Sequence, residues 1–157
     1  MKLICRRCSK TISANEPVWC CECGGIIDLN FTAKFPLKEI GARKFDMWRY
    51  REAVPLERPH EAVSFGEGFT PLVEDEYRAK KVLLKLEYLF PSGSFKDRGA
   101  AVLVNRLREL GVRRVVEDSS GNAGAAIAAY CARAGIECDI YVPEGTSETK
   151  LTQIKSV

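Results

Sequence analysis

The stretch Pro91-Ser92-Gly93-Ser94-Phe95-Lys96-Asp97-Arg98-Gly99-Ala100 decides how this chain is interpreted. Small residues precede Lys96 and apolar residues at helical spacing follow it, so the pattern predicts a loop that enters a helix. A lysine near a helix N-terminus is electrostatically unfavourable, which favours a functional role for its amine. The alternative is an ordinary helix start, capped by Ser94, in which Lys96 and Asp97 are first-turn charges.

A second loop, Ser119-Ser120-Gly121-Asn122-Ala123-Gly124, follows about 26 residues later and also precedes a predicted helix. Free backbone N–H groups, the positive end of a helix and two hydroxyls suit a carboxylate or a phosphate. A turn followed by a helix cap has a similar sequence. Neither G-x-G-x-x-G nor a P-loop is present, so the sequence gives nucleotide binding little support.

The second half of the chain alternates between strand and helix patterns, which predicts parallel βαβ units. Ligands of such sheets bind at the carboxyl ends of the strands, where both loops fall, so we expect the loops to meet. The predicted strands are 82–88, 113–117 and 137–142. The predicted helices start after Lys96, at Asn122 and at Ser147 and Glu148, and Gly111 and Gly135 end the first two.

Five of the seven cysteines lie within residues 5–23, which indicates a metal site and not a disulfide scaffold. Cys5-Arg6-Arg7-Cys8 and Cys20-Cys21-Glu22-Cys23 are C-x2-C turns with 11 residues between them. This spacing predicts a zinc ribbon whose ligands are Cys5, Cys8, Cys20 and Cys23. Four protein ligands close the coordination shell, so the zinc is expected to be structural. Cys21 is the spare thiol, because using it in place of Cys20 breaks the two-residue spacing.

Composition narrows the class of protein. A hydrophobic content of 46% in 157 residues is enough for a packed core, and a net charge of +3 is too small to indicate nucleic acid or a membrane as partner. The basic patch of the ribbon also lacks interleaved aromatic residues. No apolar run approaches the roughly 20 residues of a spanning helix or forms a signal peptide, so the expected location is the cytoplasm.

Residues 31–72 show no sustained periodicity and contain four prolines, which predicts an irregular connector with one helical turn. We expect His60 to be exposed. The predicted domains are the ribbon, 1–30, the connector packed on the body, 31–72, and an incomplete α/β domain, 73–157. Four aromatic residues of the connector are expected to anchor it on that body: Phe45, Trp48, Tyr50 and Phe65.

Together the cysteine turns, the stretch from Phe65 to Leu72, the two loops and the segment from Tyr130 to Lys150 resemble the threonine synthases. These are fold type II pyridoxal-phosphate enzymes with a tryptophan synthase β-like α/β fold, here preceded by a small zinc ribbon. The resemblance implies two cofactors, pyridoxal 5'-phosphate and structural Zn2+. It also implies a carbon–oxygen lyase that converts O-phosphohomoserine and water to threonine and phosphate.

The resemblance also implies roles for single residues. Lys96 is expected to form the Schiff base with pyridoxal phosphate and to act as the acid–base group. Asn122 is expected to hydrogen-bond the 3'-oxygen of the cofactor. Ser120 and the backbone at Gly121 and Ala123 are expected to hold the substrate carboxylate.

The chain departs from the family pattern in its length. Its only Gly-Gly pair is Gly24-Gly25, so it lacks the glycine-rich loop that holds the cofactor phosphate, and its last predicted helix reaches Val157 without a stop signal. We therefore expect an amino-terminal portion that is inactive alone, and a homodimer of the full-length protein stays open. Cysteate synthase, serine/threonine dehydratase and a non-catalytic zinc module are the alternatives.

Overall fold

A computed structural model describes residues 1–156, so the prediction about Val157 lies outside the described residues. Helices and strands alternate along the second half of the chain, as predicted. The strands are β1 (Lys2–Cys5), β2 (Thr11–Ile12), β3 (Ile27–Asn30), β4 (Leu72–Tyr77), β5 (Lys80–Lys85), β6 (Arg114–Asp118) and β7 (Glu137–Tyr141). The α-helices are α1 (Leu37–Gly41), α2 (Lys96–Glu109), α3 (Asn122–Ala134) and α4 (Glu148–Lys155).

The amino-terminal segment folds into a three-stranded antiparallel sheet in the order β2-β1-β3. Cys5 ends β1 and lies opposite Ile27, the first residue of β3. The chain that follows Cys5 and the chain that precedes Ile27 therefore leave the sheet at the same end. This register brings the two cysteine turns together.

The connector is irregular, as predicted, but it contains more than one helical turn: α1 and the 3₁₀-helices Met47–Ala53 and Pro59–Glu61. Two of its aromatic residues pack on the body as expected. Trp48 contacts the main core, and the Phe65 ring lies edge-on at 5.0 Å from the ring of Tyr130 in α3.

Phe45 and Tyr50 pair with Phe69, which belongs to the connector itself. The anchoring of these two residues on the body stays a prediction. His60 is exposed, as expected.

One predicted strand has a different place in the fold. The sequence analysis put a strand at 82–88 into the parallel sheet, whereas β5 pairs along its whole length with β4 in an antiparallel hairpin. Residues Glu87–Leu89 form a 3₁₀-helix and not the end of the strand. The hairpin is largely exposed on both faces, so its position rests on backbone pairing and not on a buried face.

The body of the protein is the unit β6-α3-β7, whose two strands are parallel and start with Arg114 opposite Glu137. Helix α2 packs against α3. Small side chains let the two helices approach closely, and the shared core consists of Ala100, Ala101, Val104, Ala126, Ile127, Tyr130, Cys131 and Ile136. The predicted helices are confirmed, and β6 and β7 differ from their predicted bounds by at most one residue at either end. No helix in residues 1–156 has the length and apolar content needed to cross a membrane.

Candidate functional site

The loop before α2 is fixed by Asp97, which points into the protein. Asp97 is 0% exposed. Its carboxylate accepts a hydrogen bond from the Ser92 amide at 2.9 Å and another from the Ser92 hydroxyl. Hydrogen bonds to a buried carboxylate are stronger than those between neutral groups. Asp97 therefore ties the start of the helix to the start of the loop.

Arg98 forms a second contact that holds this loop, an ion pair with Glu87. Its Nε and one terminal nitrogen donate to the two carboxylate oxygens of Glu87, each at 2.9 Å. Glu87 also accepts from the Thr70 hydroxyl at 2.5 Å. These donors, Arg98 first, lower the pKa of Glu87 from 4.5 to about 2. The segment between Glu87 and Arg98, which contains the whole lysine loop, is thus closed at both ends by charged side chains.

Lys96 comes directly before Asp97 and Arg98 and is itself exposed. Its amide donates to the Ser94 hydroxyl at 3.2 Å, and its Nζ lies 5.2 Å from the centre of the Phe95 ring. The bond from the Lys96 amide is the contact expected of a Ser94 cap, so the alternative of an ordinary helix start stays open. The residues before Lys96 are small and its side chain is exposed, so an aldehyde cofactor can reach its amine.

A buried carboxylate that the sequence analysis did not single out organises the chain near Phe65. Glu67 is 1% exposed and accepts hydrogen bonds from the Trp48 ring nitrogen at 2.6 Å and from the Phe65 amide at 2.8 Å. The Ser64 hydroxyl donates to the same group. Burial, reinforced by Glu67, raises the pKa of Tyr130. An acidic residue between two glycines gave no signal of burial in the sequence.

The asparagine loop is shaped by backbone packing. The first bond within α3 runs from the Ala125 amide to the Gly121 carbonyl at 3.1 Å, so the amides of Asn122, Ala123 and Gly124 have no intrahelical acceptor. A Cβ at Gly124 would overlap the carbonyl oxygen of Ser119, so only glycine fits there. The free amides and the helix dipole suit a carboxylate or phosphate group.

The predicted residues of this loop are accessible to different degrees. Asn122 and Gly121 are exposed, whereas Ser120 and Ala123 are half-buried. The Gly121 amide donates to the Ser119 hydroxyl at 3.3 Å, so it is already engaged, weakly. No hydrogen bond among residues 1–156 joins this loop to Lys96. The expected meeting of the two loops stays a prediction.

Four cysteine thiols converge at the end of the amino-terminal sheet. The sulfur atoms of Cys5, Cys8, Cys21 and Cys23 all lie within 4.8 Å of one another. The Cys5 and Cys23 sulfurs are 3.5 Å apart and those of Cys8 and Cys21 are 3.7 Å apart. Thiolates at about 2.3 Å from a tetrahedral zinc lie about 3.8 Å from each other, so these residues fit a zinc ion.

This cluster differs from the predicted ligand set, because it contains Cys21 where the sequence analysis expected Cys20. Cys5 and Cys21 begin equivalent turns: the Cys5 carbonyl accepts from the Ser9 amide at 3.0 Å, and the Cys21 carbonyl accepts from the Gly24 amide at 2.8 Å. The second turn is one residue shorter, so one residue and not two separates its cysteines. The sequence analysis assumed equal turns.

Glycine is required where the second turn meets the first. A Cβ at Gly25 would lie 2.6 Å from the Cys5 sulfur, closer than atoms approach without moving. The amide of Cys8, together with that of Arg7, which donates to the Cys5 sulfur at 3.3 Å, lowers the pKa of Cys5 to about 6. The pKa of Cys23 is raised to about 12, chiefly by its hydrogen bond to Cys8. A low thiol pKa favours the thiolate, which is the form that binds metal.

The α/β body has an exposed lysine at the start of one helix and a loop that suits an anion before the next. Together these features define a class of protein. The model of the family described as "Pyridoxal-phosphate dependent enzyme" matches residues 63–157, and the chain belongs to that family. The match covers both loops and the βαβ unit. It confirms the fold class and the family resemblance, and it implies pyridoxal phosphate as the cofactor.

Several similar curated proteins are threonine synthases. The chain is 39% identical over 151 residues to threonine synthase of Methanocaldococcus jannaschii and 36% identical over 152 residues to that of Methanosarcina acetivorans. These alignments cover 90% and 91% of this chain but 37% of either relative. Threonine synthase of Halalkalibacterium halodurans is 42% identical over 100 residues, 61% of the chain and 28% of that protein. The chain thus spans just over a third of the first two relatives.

Solved structures of the same fold have other names. The O-acetylserine dependent cystathionine β-synthase from Helicobacter pylori has a TM-score of 0.50 and 26% identity over 57% of this chain and 32% of its own. The hydrogen sulfide-producing enzyme from Fusobacterium nucleatum has a TM-score of 0.50 and 32% identity over 55% of this chain and 28% of its own. The shared fold therefore extends across several reactions.

Proposed function

We propose that this chain is the amino-terminal portion of a threonine synthase, which converts O-phosphohomoserine and water to threonine and phosphate by carbon–oxygen lyase chemistry. The observation that carries the proposal is the lysine loop. In this loop Asp97 and Arg98 are hydrogen-bonded to Ser92 and Glu87, and Lys96 is exposed. The similarity to threonine synthases over most of the chain, cysteine segment included, supports this reaction over others of the family.

The residues of this chain would act on both sides of the substrate. Pyridoxal phosphate, when bound, withdraws electrons from the amino acid and so makes its carbon-bound protons acidic. Lys96 would hold the cofactor through its amine and, as the acid–base group, would take and return protons at the substrate carbons. Ser120 and the amide of Ala123 would hold the α-carboxylate, and Asn122 would donate a hydrogen bond to the cofactor. The Gly121 amide would also bind the carboxylate after releasing its weak bond to Ser119.

A substrate assay on a chain completed to the length of the relatives tests the reaction. We expect phosphate release and threonine formation from O-phosphohomoserine, and no comparable turnover of O-phosphoserine or threonine. Lys96→Ala should lower kcat at least about a hundredfold, because it removes the acid–base group. Lys38→Ala, at an exposed lysine of α1, should leave kcat unchanged. A preference for O-phosphoserine or threonine would contradict the assignment.

The isolated 157 residues are expected to form no threonine. Lys96 and Asn122 are exposed, whereas this chemistry needs a site closed to water. We therefore propose that, in a protein of the relatives' length, the part that this chain does not contain covers the site and binds the cofactor phosphate. Measurable threonine formation by the isolated chain would contradict this proposal.

We further propose that the four-cysteine cluster binds a structural zinc ion, with Cys5, Cys8, Cys21 and Cys23 as ligands. A closed set of four thiolates has no open position for catalysis, and the small ribbon gains folding energy from the metal. Cys21→Ser should lose most of the bound zinc, while Cys20→Ser should keep it. The zinc-to-protein ratio measured by elemental analysis decides between Cys21 and Cys20.

The second candidate is another reaction of the same family, such as that of a cysteate synthase or a serine/threonine dehydratase. The observation that favours it is the fold shared with a cystathionine β-synthase and a hydrogen sulfide-producing enzyme. The threonine synthase proposal also includes a cytoplasmic location and a homodimer of the full-length protein. It includes three domains, with the bounds 1–30, 31–72 and 73–157.

A further inference from the structure

A cavity of about 530 Å³ lies between residues 43–51 and residues 59–66 and is completed by Arg133 of α3. We call it the arginine cavity. Its charged lining consists of Arg43, Lys44, Asp46, Arg49, Arg51 and Arg133, five cations and one anion. None of the residues proposed for the cofactor or the substrate lines it. The cavity is therefore a feature that the proposed reaction does not use.

Arg49 is the buried cation of this cavity, only 7% exposed. One terminal nitrogen donates to the Ile40 carbonyl at 2.6 Å, but Nε is buried and finds no acceptor within residues 1–156. The guanidinium packs at 4.5 Å and 4.8 Å from the ring centres of Phe45 and Phe69. Aromatic faces attract a cation but leave its hydrogen-bonding capacity unused. A buried charge without a counter-ion is costly, and an anion would relieve that cost.

Arg133 supplies a second cation that no carboxylate in residues 1–156 neutralises. Its Nε donates to the Ser64 carbonyl at 2.7 Å, and its guanidinium lies 4.6 Å from the centre of the Phe65 ring. Both contacts hold the side chain in place. Its terminal nitrogens are left as donors at the edge of the cavity.

The acidic groups around the cavity already have partners. Asp46 accepts from the Trp48 amide at 3.0 Å and lies 3.6 Å from the Lys44 amine. Glu39 and Glu52 both pair with Arg43, at 2.8 Å and 2.6 Å. Glu67 is a fourth carboxylate beside the cavity, since it accepts hydrogen bonds from Trp48, Ser64 and Phe65 on its wall. Arg51 lies 3.5 Å from Glu52, which it shares with Arg43. Four carboxylates against five cations leave one positive charge unmatched. Within residues 1–156, Arg49 and Arg133 are the two lining cations that form no ion pair.

We propose that the arginine cavity binds a small oxyanion, a phosphate or a carboxylate, between Arg49 and Arg133. Guanidinium groups bind both oxyanions through paired N–H donors, which a halide cannot match. His60 lies on the same wall and adds a further donor. The proposal is independent of the reaction at Lys96.

The test follows the arginine Nε–Hε signals of the 157-residue chain by ¹⁵N NMR during titration with sodium phosphate or sodium acetate at constant ionic strength. The signals of Arg49 and Arg133 should shift with saturation in at least one series, and the series with the tighter binding identifies the oxyanion. Sodium chloride should not saturate them. Shifts confined to the amides of Gly121 and Asn122 would overturn the proposal, because phosphate would then bind only at the asparagine loop.

Variants make the assignment specific. Arg133→Gln removes an exposed side chain and should weaken oxyanion binding about tenfold or more, because a charge-assisted contact is lost. Arg49→Lys should do the same if it folds. Arg114→Gln, at an exposed arginine paired with Asp139, is the matched control and should bind as the parent does. Lys96→Ala should also leave oxyanion binding intact. Unchanged binding by Arg133→Gln would overturn the proposal.

Discussion

The two loops that enter α2 and α3 are built in different ways. The lysine loop is held by side chains, since Asp97 and Arg98 bond to Ser92 and Glu87. The asparagine loop is held by backbone packing, since Gly124 lies against the Ser119 carbonyl. These side-chain bonds hold the backbone around Lys96 and leave its amine exposed. Close backbone packing leaves amides free to bind an anion, so each construction matches the chemistry proposed for its loop.

The largest expected effect comes from a substitution that disrupts the asparagine loop. Gly124→Ala puts a methyl group into the Ser119 carbonyl and should lower the free energy of unfolding by about 3 kcal/mol. Urea denaturation followed by circular dichroism measures this change.

The matched control for that change is Gly99→Ala in α2, where a Cβ meets nothing within 4 Å. Alanine is the better helix former, so this variant should gain about 0.5–1 kcal/mol. Equal effects of the two substitutions would mean that Gly124 is not a point of close packing.

The next largest effect is expected from a substitution that disrupts the lysine loop. Asp97→Ala removes the acceptor of two hydrogen bonds from Ser92 and should lower the free energy of unfolding by about 2 kcal/mol. Loosening of the loop should also be visible as faster hydrogen exchange of the Ser92 amide. Asp118→Ala, at an exposed carboxylate, should change neither quantity measurably.

The smallest effect depends on pH. The pKa of Glu87 is lowered from 4.5 to about 2, so its ionised form stabilises the fold above about pH 4.5, and this contribution is lost as the pH falls through about 2. Glu87→Gln should therefore be less stable by about 1 kcal/mol near pH 6, with the difference shrinking toward pH 2.

Glu144→Gln, at an exposed carboxylate, serves as the control for Glu87 and should show no such trend. Thermal unfolding at a series of pH values measures both variants. A stability difference for Glu87→Gln that is constant between pH 6 and pH 2 would mean that the pair with Arg98 does not form.

Much of the body could be predicted from the sequence, because helical periodicity and a terminal glycine specify α2 and α3 locally. The β4–β5 hairpin could not. Its two-residue turn, Arg78 and Ala79, adopts positive φ angles of 50° and 58°, where a sequence signal would need glycine or asparagine. Pairing between the strands overrides that local preference.

The candidate site shows the same division. Lys96 and the asparagine loop were identified by their small neighbours, but the inward turn of Asp97 was not, since charged residues are rarely buried. The choice of Cys21 over Cys20 depends on a turn one residue shorter than its counterpart. Such a difference appears only when the hydrogen bonds of both turns are known.

The most direct test of the central claim, that Lys96 is the cofactor-bonding residue, is covalent trapping. A chain completed to the length of the relatives is mixed with equimolar pyridoxal phosphate, reduced with borohydride, digested and mapped by mass spectrometry. Label concentrated on Lys96, lost in Lys96→Ala and unchanged in Lys38→Ala, is the predicted result. Label spread over the exposed lysines without preference for Lys96 would contradict the account.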